Sequence, residues 1–367
     1  MIVSSDSISK LWGGEQLILC RDESVGLQAA IAIDDTRLGP AVGGVRLRCY
    51  PDETAALSEV HRLARTMTLK NAVAELPYGG AKSVIMQADR KPPTGPERVA
   101  LMRRFGEFVA RTAGTYIPGV DMGTSVEDLA LIGACGARVS CSQLDPSPWT
   151  AVGVASGIRA AVAHVDNRTD LEGVRVLIQG VGHVGAALAH DLAFNGAHVI
   201  VTDIDDVRAA ELASDVEGTS VPAERALEVD CDVFAPCAVA RVVSRATLGR
   251  LSCRMIVGAA NDILADRSLA ASLASRGITY VPDFVSNAGG VIHIHAVASS
   301  WDSQTLSATL DRIGDRVTEI LEEAELSGGT PLAVAERRAE RILSAAAAST
   351  NGHRPSDPRG PKERLAA

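Results

Sequence analysis

The sequence has no surplus of positive charge: 36 Lys+Arg stand against 45 Asp+Glu, a formal net charge of −9 over 367 residues. Sequence-independent binding to nucleic acid or to an anionic membrane surface needs such a surplus, so neither partner is expected. An ordered cysteine pattern is missing too. The seven Cys are an odd number scattered at 20, 49, 135, 141, 231, 237 and 253, which makes no disulfide framework. Cys135/Cys141 and Cys231/Cys237 miss the tight gap of zinc knuckles, so no metal is expected. Reduced, mostly buried thiols fit a cytosolic compartment. No stretch approaches the roughly 20 apolar residues of a membrane span. Met1-Ile2-Val3-Ser4-Ser5-Asp6 has neither a basic nor an apolar leader region, and a soluble, cytoplasmic protein is expected. The chain shows no internal repeat.

What is present is an ordinary globular composition, 46% hydrophobic and 22% charged. At roughly 150 residues per domain the length suggests two domains. The first third alternates strand and helix. Leu27 to Ile33 and Ser83 to Met86 read as strands; Glu53 to Met67, with Asp52 as N-cap, and Val99 to Ala113 read as helices, the latter leading to a turn around Pro118-Gly119. From Pro146-Ser147-Pro148 a small-residue helix, Thr150 to Ala163, leads to the buried-type strand Val174 to Ile178. Further strands are expected at His198 to Thr202, Asp232 to Ala235, Met255 to Val257 and Ile278 to Val281. Strand alternating with helix means a parallel, doubly wound sheet. Two helices, Thr305 to Leu321 and Thr330 to Ala345, follow and are expected to pack back across the domains; a frayed tail fills 350–367.

Gly180-Val181-Gly182-His183-Val184-Gly185 fits G-x-G-x-x-G. It follows an apolar strand, opens a helical pattern, and precedes a second strand ending at Asp203, which is the context of a dinucleotide fingerprint. The first Gly allows the tight turn, the second admits a pyrophosphate, and the third lets helix pack on strand; the helix N-terminus offers unpaired N–H groups to phosphates. Asp203 would accept from ribose hydroxyls and repel a 2′-phosphate, favouring NAD over NADP, with Arg208 downstream as a counter-signal. FAD fits less well, since the fingerprint lies mid-chain.

Two lysines carry candidate chemistry: Lys70, in Met67-Thr68-Leu69-Lys70-Asn71, and Lys82, behind Gly79-Gly80-Ala81. Lys82, behind a glycine pair and before the buried-type run Ser83 to Met86, would have its pKa lowered toward neutrality by burial and a neighbouring cation and could act as a base. One lysine would then hold an anionic substrate group while the other does proton chemistry. Asp121, in Val120-Asp121-Met122-Gly123-Thr124, is either a turn former or a third member of the site. His293 and His295 could suggest a metal pair, but no third ligand is evident.

At these residues the sequence resembles the glutamate/leucine/phenylalanine/valine dehydrogenase superfamily, most closely its leucine, phenylalanine and valine branch. The resemblance rests on motifs in order: Asp34 to Pro40, Gly43-Gly44-Val45-Arg46, the Lys70 and Lys82 segments, Val120 to Thr124, Pro146-Ser147-Pro148, the Gly180 loop, Phe234 to Ala238, Gly258-Ala259-Ala260-Asn261, and Pro282-Asp283-Phe284 through Gly290. It implies an α/β fold of two parts: an N-terminal substrate and oligomerisation domain, 1–140, and a Rossmann-type NAD-binding domain, 141–329, with helices of 330–347 packing back and the active site in the cleft between. It implies reversible NAD-dependent oxidative deamination of an L-amino acid to its 2-oxo acid and ammonium. Lys70 would bind the substrate carboxylate, Lys82 would activate the water, and Asp121 would shuttle protons. Gly43, Gly44 and Asn261 would position substrate and nicotinamide, with Ala259, Gly180, Gly182, His183, Val184, Gly185 and Asp203 on the cofactor side. A homo-oligomer is implied as well. Ala81, Asp262 and Trp149 depart from the usual pattern.

By the same resemblance Val42, Gly119, Val291 and Ile294 line the side-chain pocket. They offer no partner to a carboxylate, which disfavours glutamate. Gly119 leaves room for a ring, so an aromatic substrate such as L-phenylalanine is expected, with leucine or valine as the close competitor. A catalytically silent NAD-binding regulatory module is the alternative of a different class, and a hydroxy-acid dehydrogenase a third, for which His183 is poorly placed.

Overall fold

The computed structural model of the chain describes residues 12–87, 91–140 and 145–351. The tail expected at 350–367 lies almost wholly outside them, as does Cys141. No helix among the described residues is long and apolar enough to cross a membrane.

Strands β1 (Gln16–Asp22), β2 (Leu27–Asp35) and β3 (Ala41–Cys49) precede helix α1 (Glu53–Val73). Strand β4 (Gly79–Gln87), helix α2 (Gly95–Ala110), strand β5 (Tyr116–Val120) and helix α3 (Val126–Gly133) complete the first unit. Its sheet has the order β1-β2-β4-β3-β5. β2 is antiparallel to β1 and β4, whereas β3 is parallel to β4 and β5. The two-residue period divides the core between the faces. Ala30, Ala32 and Val84 pack under Ala56, Val60 and Ala64 of α1. Ile31, Ile33 and Ile85 turn the other way, toward Phe105 of α2 and Ile132 of α3.

Three expectations are corrected in this unit. The strand expected from Ser83 begins four residues earlier, so Gly79-Gly80-Ala81-Lys82 is itself the start of β4. A Cβ on Gly80 would sit 2.1 Å from the Thr68 backbone nitrogen, and one on Gly43 would sit 1.6 Å from the Ala81 carbonyl oxygen. These glycines serve close approach of backbones, a use of strand glycine that local pattern cannot distinguish from a turn. Pro118-Gly119 is likewise strand, paired with Gly43-Gly44. Proline is tolerated because β5 is an edge strand, so its missing N–H breaks no central ladder. Helix α1 runs past Met67 to Val73, which carries Lys70 into its last turn.

The second unit opens with helix α4 (Ser147–Asp166), then strand β6 (Arg175–Gln179), helix α5 (His183–Phe194), strand β7 (His198–Thr202), helix α6 (Asp206–Asp215) and strand β8 (Thr219–Ser220). Strands β9 (Val233–Pro236) and β10 (Met255–Ile256), helix α7 (Leu269–Ala274), strand β11 (Thr279–Tyr280) and helices α8 (Asp283–Ser286) and α9 (Gly289–Ala298) follow. The sheet is wholly parallel, in the order β11-β10-β9-β6-β7-β8. Counted from β6 this is the 3-2-1-4-5-6 order of dinucleotide-binding sheets, whose ligands lie beyond the carboxyl ends of the strands where the order reverses. The reversal falls between β6 and β9, and β6 leads into the Gly180 loop. Two-residue β8 carries no periodic signal, and nothing in the sequence pointed to it.

Helices α10 (Ser303–Ser327) and α11 (Pro331–Asn351) close the fold. α11 lies against α1, where its Glu340 pairs with Arg37 at 3.1 Å and Arg65 at 3.6 Å.

Candidate active site

One face of the first sheet carries the polar cluster. Alternation puts Val42, Gly44 and Arg46 of β3 on the same side as Lys82 of β4 and Ile117 and Gly119 of β5. Asp121 follows at the end of β5, in a turn held by the Thr124 hydroxyl, which accepts from the Asp121 N–H at 3.1 Å and donates to the Val45 carbonyl at 2.8 Å. Lys82 Nζ stands 2.8 Å from Asp121 Oδ2. Arg46 Nε donates to the same oxygen at 2.8 Å, and its other end pairs with Glu59. Burial alone would push the Asp121 carboxyl up, but Lys82 and Arg46 outweigh it and hold it well below the usual carboxylate range. Gly44 is the neighbour that leaves room for this cluster, since a Cβ there would meet Asp121 Cβ at 2.7 Å. Gly43 turns to the opposite face, where its carbonyl accepts from Tyr116 Oη at 3.0 Å. It shapes the sheet beneath the site.

Lys70 descends on this cluster from α1 and is buried. Burial lowers its pKa to about 8, with Asp283 opposing and Lys82 adding to the shift. The sequence predicts the lowered lysine at Lys82; the lowering shown is at Lys70. Its Nζ donates to Asn261 Oδ1 at 3.2 Å, and that oxygen also accepts from Asn287 Nδ2 at 3.1 Å. Asn261 follows β10, so the contact brings an ammonium of the first unit against the carboxyl ends of the second sheet. Asp262 beside it has a φ of +55°, a conformation Asp tolerates, and turns back to pair with Arg62 of α1. Its N–H donates to Asp283 Oδ2 at 2.5 Å, and Tyr280 Oη donates to Asp283 Oδ1 at 2.9 Å.

The Gly180 loop suits a dinucleotide pyrophosphate. Gly180 has a φ of +97°, closed to most side chains. A Cβ on Gly185 would lie 1.9 Å from the Gly180 carbonyl oxygen, whereas one on Gly182 would meet nothing within 4 Å, leaving open space where phosphates approach the N-terminus of α5. Asp203, just after β7, accepts from the Val181 N–H at 2.8 Å and the Asp205 N–H at 3.0 Å. It thus holds the glycine turn in shape, a role the spacing did not reveal. His183 and Val184 start α5; the exposed His183 Nδ1 lies 3.0 Å from Asp145. Ala259 faces the same end, its carbonyl accepting from Asn287 Nδ2 at 3.0 Å.

A separate cavity of about 140 Å3 has Val42, Asn71, Ile117, Val291 and Ile294 among its walls. Gly119, two residues along β5 from Ile117, would carry a Cβ into open space. Tyr78, Arg138 and Ser140 also line it. Val42, Val291 and Ile294 offer a carboxylate no partner, as expected of them, but Arg138 is a charged, solvent-exposed wall that no spacing announced. Trp149 and the two histidines are accounted for nearby. Trp149 stacks on His293 with ring centroids 5.0 Å apart, and His295 Nδ1 lies 2.9 Å from Tyr78 Oη.

Comparison with known proteins matches residues 15–134 to the Glu/Leu/Phe/Val dehydrogenase dimerisation domain and residues 201–349 to the glutamate/leucine/phenylalanine/valine dehydrogenase domain. The chain is 37% identical over 335 residues to the leucine dehydrogenase of Thermoactinomyces intermedius, covering 90% of each. It belongs to the Glu/Leu/Phe/Val dehydrogenase family. A valine dehydrogenase of this family, from Streptomyces albus, is 36% identical over 348 residues, covering 92% of this chain and 94% of that protein. Among solved structures, L-tryptophan dehydrogenase from Nostoc punctiforme superposes with a TM-score of 0.77 at 33% identity, covering 94% of this chain and 99% of that one. As a member of the Glu/Leu/Phe/Val dehydrogenase family the chain is an oxidoreductase acting on amino acids, with a Rossmann-like domain consistent with a nicotinamide cofactor.

Proposed function

We propose that this chain catalyses the reversible oxidative deamination of a hydrophobic L-amino acid: amino acid, NAD⁺ and water give the 2-oxo acid, ammonium, NADH and a proton. The observation that carries this reading is the 3.2 Å contact of Lys70 Nζ with Asn261, which joins the paired lysines to the carboxyl edge of the nucleotide-type sheet. The reading takes 1–140 as the substrate domain and 141–329 as the nucleotide domain.

Lys70, a desolvated point charge, holds the substrate α-carboxylate, and Asn261 aligns that ammonium. Lys82 Nζ and Asp121 Oδ2, 2.8 Å apart, exchange a proton without moving. Lys82 takes a proton from the water that attacks the iminium carbon, and Asp121 carries protons to and from the amine nitrogen. Arg46 keeps Asp121 ionised between turnovers. A dinucleotide held by its pyrophosphate at the Gly180 loop would supply the hydride acceptor. Gly180, Gly182 and Gly185 admit its pyrophosphate at the start of α5, and Asp203 disfavours a 2′-phosphate, which supports NAD over NADP. Holding two reactants in one cleft is where much of the rate enhancement arises.

The open space at Gly119 and the cavity volume support an aromatic substrate; the leucine and valine relatives support a branched-chain one at least as well. The match to a dimerisation domain supports a homo-oligomer, and free cysteines such as Cys20, Cys231 and Cys253 fit a reducing, cytoplasmic setting. Incubation with NAD⁺ or NADP⁺ and a panel of L-amino acids at alkaline pH, read as NADH absorbance, tests the reading. Turnover of phenylalanine or leucine with NAD⁺, abolished in Lys82→Met, is the expected result. A flat trace for every hydrophobic amino acid, with NAD⁺ binding intact, overturns it.

A further inference from the structure

The loop that follows β10 is held along one side by α8 and the residue after it. Ser286 Oγ donates to the Gly258 carbonyl at 2.9 Å, Asn287 Nδ2 donates to the Ala259 carbonyl at 3.0 Å, and Asp283 Oδ2 accepts from the Asp262 N–H at 2.5 Å. These contacts fix the backbone of the loop. A further contact from the same side reaches a side chain: Asn287 Nδ2 also donates to Asn261 Oδ1, at 3.1 Å. Asn287 is buried, whereas Asn261 is exposed.

Donor and acceptor chemistry orients both amides. The two ends of a carboxamide are alike in shape, and its partners settle which is which. A backbone carbonyl only accepts, so the end of Asn287 that meets Ala259 is Nδ2. The same NH2 faces Asn261, and the Lys70 ammonium, which only donates, faces the same atom of Asn261 at 3.2 Å. An atom on which two donors converge must be Oδ1. Asn261 Nδ2 is thereby turned away from both, and it has no hydrogen-bond partner among the described residues. The exposed side of the loop is offered an N–H donor beside Lys70 Nζ, and two donors so placed match the two oxygens of a carboxylate. Lys70 does not hold the amide by itself near its pKa of about 8, because a neutral amine accepts as well as donates, whereas Asn287 keeps its two N–H groups on either side of that pH.

We infer that Asn287 is a positioning residue: it locks the Asn261 carboxamide with Oδ1 inward, so that Asn261 Nδ2 and Lys70 Nζ together present donors to the α-carboxylate of the substrate. This rests on the proposed deamination and adds to it a residue that acts through Asn261. The α-carboxylate bears the same charge in the amino acid and in the transition state, so its anchor acts on KM and leaves kcat near its wild-type value.

The test compares the wild type with Asn287→Ala, Asn287→Asp, Asn261→Ala and the double variant Asn261→Ala/Asn287→Ala. Kinetics give kcat and KM for L-phenylalanine and L-leucine. Calorimetry in the presence of NADH gives Kd for 3-phenylpropanoate and 4-methylpentanoate, which carry the carboxylate without the amine. Asn287→Ala should raise both KM and the probe Kd about tenfold with kcat little changed. Asn287→Asp keeps the volume but, ionised, only accepts, so it should weaken the probes at least as much; it also carries the test if Asn287→Ala does not fold. The double variant should bind the probes no more weakly than Asn261→Ala, since Asn287 has then lost the group it acts through. Effects that multiply in the double variant overturn the inference, as does a fall in kcat with unchanged probe Kd in the Asn287 variants. Absence of amino-acid turnover in the wild type, with probe binding following the expected pattern, refutes the deamination reading and leaves the positioning of a carboxylate site standing. A wild type that neither turns over nor binds the probes overturns both.

Discussion

Arg46 and Asp121 meet through two contacts, Nε to Oδ2 at 2.8 Å and a terminal guanidinium nitrogen to Oδ1 at 3.4 Å. The same Oδ2 is 2.8 Å from Lys82 Nζ, so one carboxylate oxygen is shared by two cations. Removing the guanidinium takes away one of the cations that hold Asp121 ionised and raises its proton affinity. Arg46→Met should therefore move the acid limb of the kcat/KM profile to higher pH and leave KM for NAD⁺ unchanged. An acid limb that stays in place would show that Arg46 does not govern this carboxylate.

Lys70 links function to stability. Its pKa falls from 10.5 to about 8 on burial, which corresponds to roughly 3 kcal/mol of cost for keeping the ammonium form below that pH. The sign follows from proton binding: between about pH 8 and 10.5 the unfolded chain holds a proton that the folded chain has released, so stability rises with pH across that window. Lys70→Met should be more stable than wild type in urea at pH 7, the difference shrinking toward pH 10.5, and its KM for the amino acid should rise steeply. Parallel stability curves for the two proteins from pH 7 to 10.5 would contradict this.

Gly119 shares with Ile117, a wall of the cavity, one face of β5, and a methyl group on it would enter open space. Gly119→Ala should depress kcat/KM for phenylalanine relative to leucine by about 1–3 kcal/mol of transition-state binding, the usual worth of one carbon in a hydrophobic pocket. An unchanged ratio removes the steric argument for an aromatic substrate.

Gly80 sets how closely α1 approaches β4. A Cβ 2.1 Å from the Thr68 backbone nitrogen has no flexible neighbour to displace, so the helix itself must shift. Gly80→Ala should cost about 3 kcal/mol or more in urea unfolding, and turnover should fall because Lys70 moves away from Lys82. Wild-type unfolding and turnover together would show that helix and strand have slack at this point.

The amino-acid sequence by itself determined the parallel sheet, the glycine turn after β6 and the two lysines, because each is announced by residues close along the chain: a hydrophobic period, a spacing of glycines, a strand before a helix. It could not show whether a glycine bends the backbone or lets another backbone come near, which is why Pro118-Gly119 read as a turn and Gly79-Gly80 fell outside the expected strand, yet both stand in strands. Only the tertiary structure decided the partnerships. Arg46 reaches Asp121 across adjacent strands, Asn261 meets Lys70 from the other unit, and one cavity draws walls from residues as far apart as Val42, Tyr78, Arg138 and Ile294. Such contacts depend on where whole elements come to rest, and residues so far apart in sequence share no local pattern that could signal their meeting.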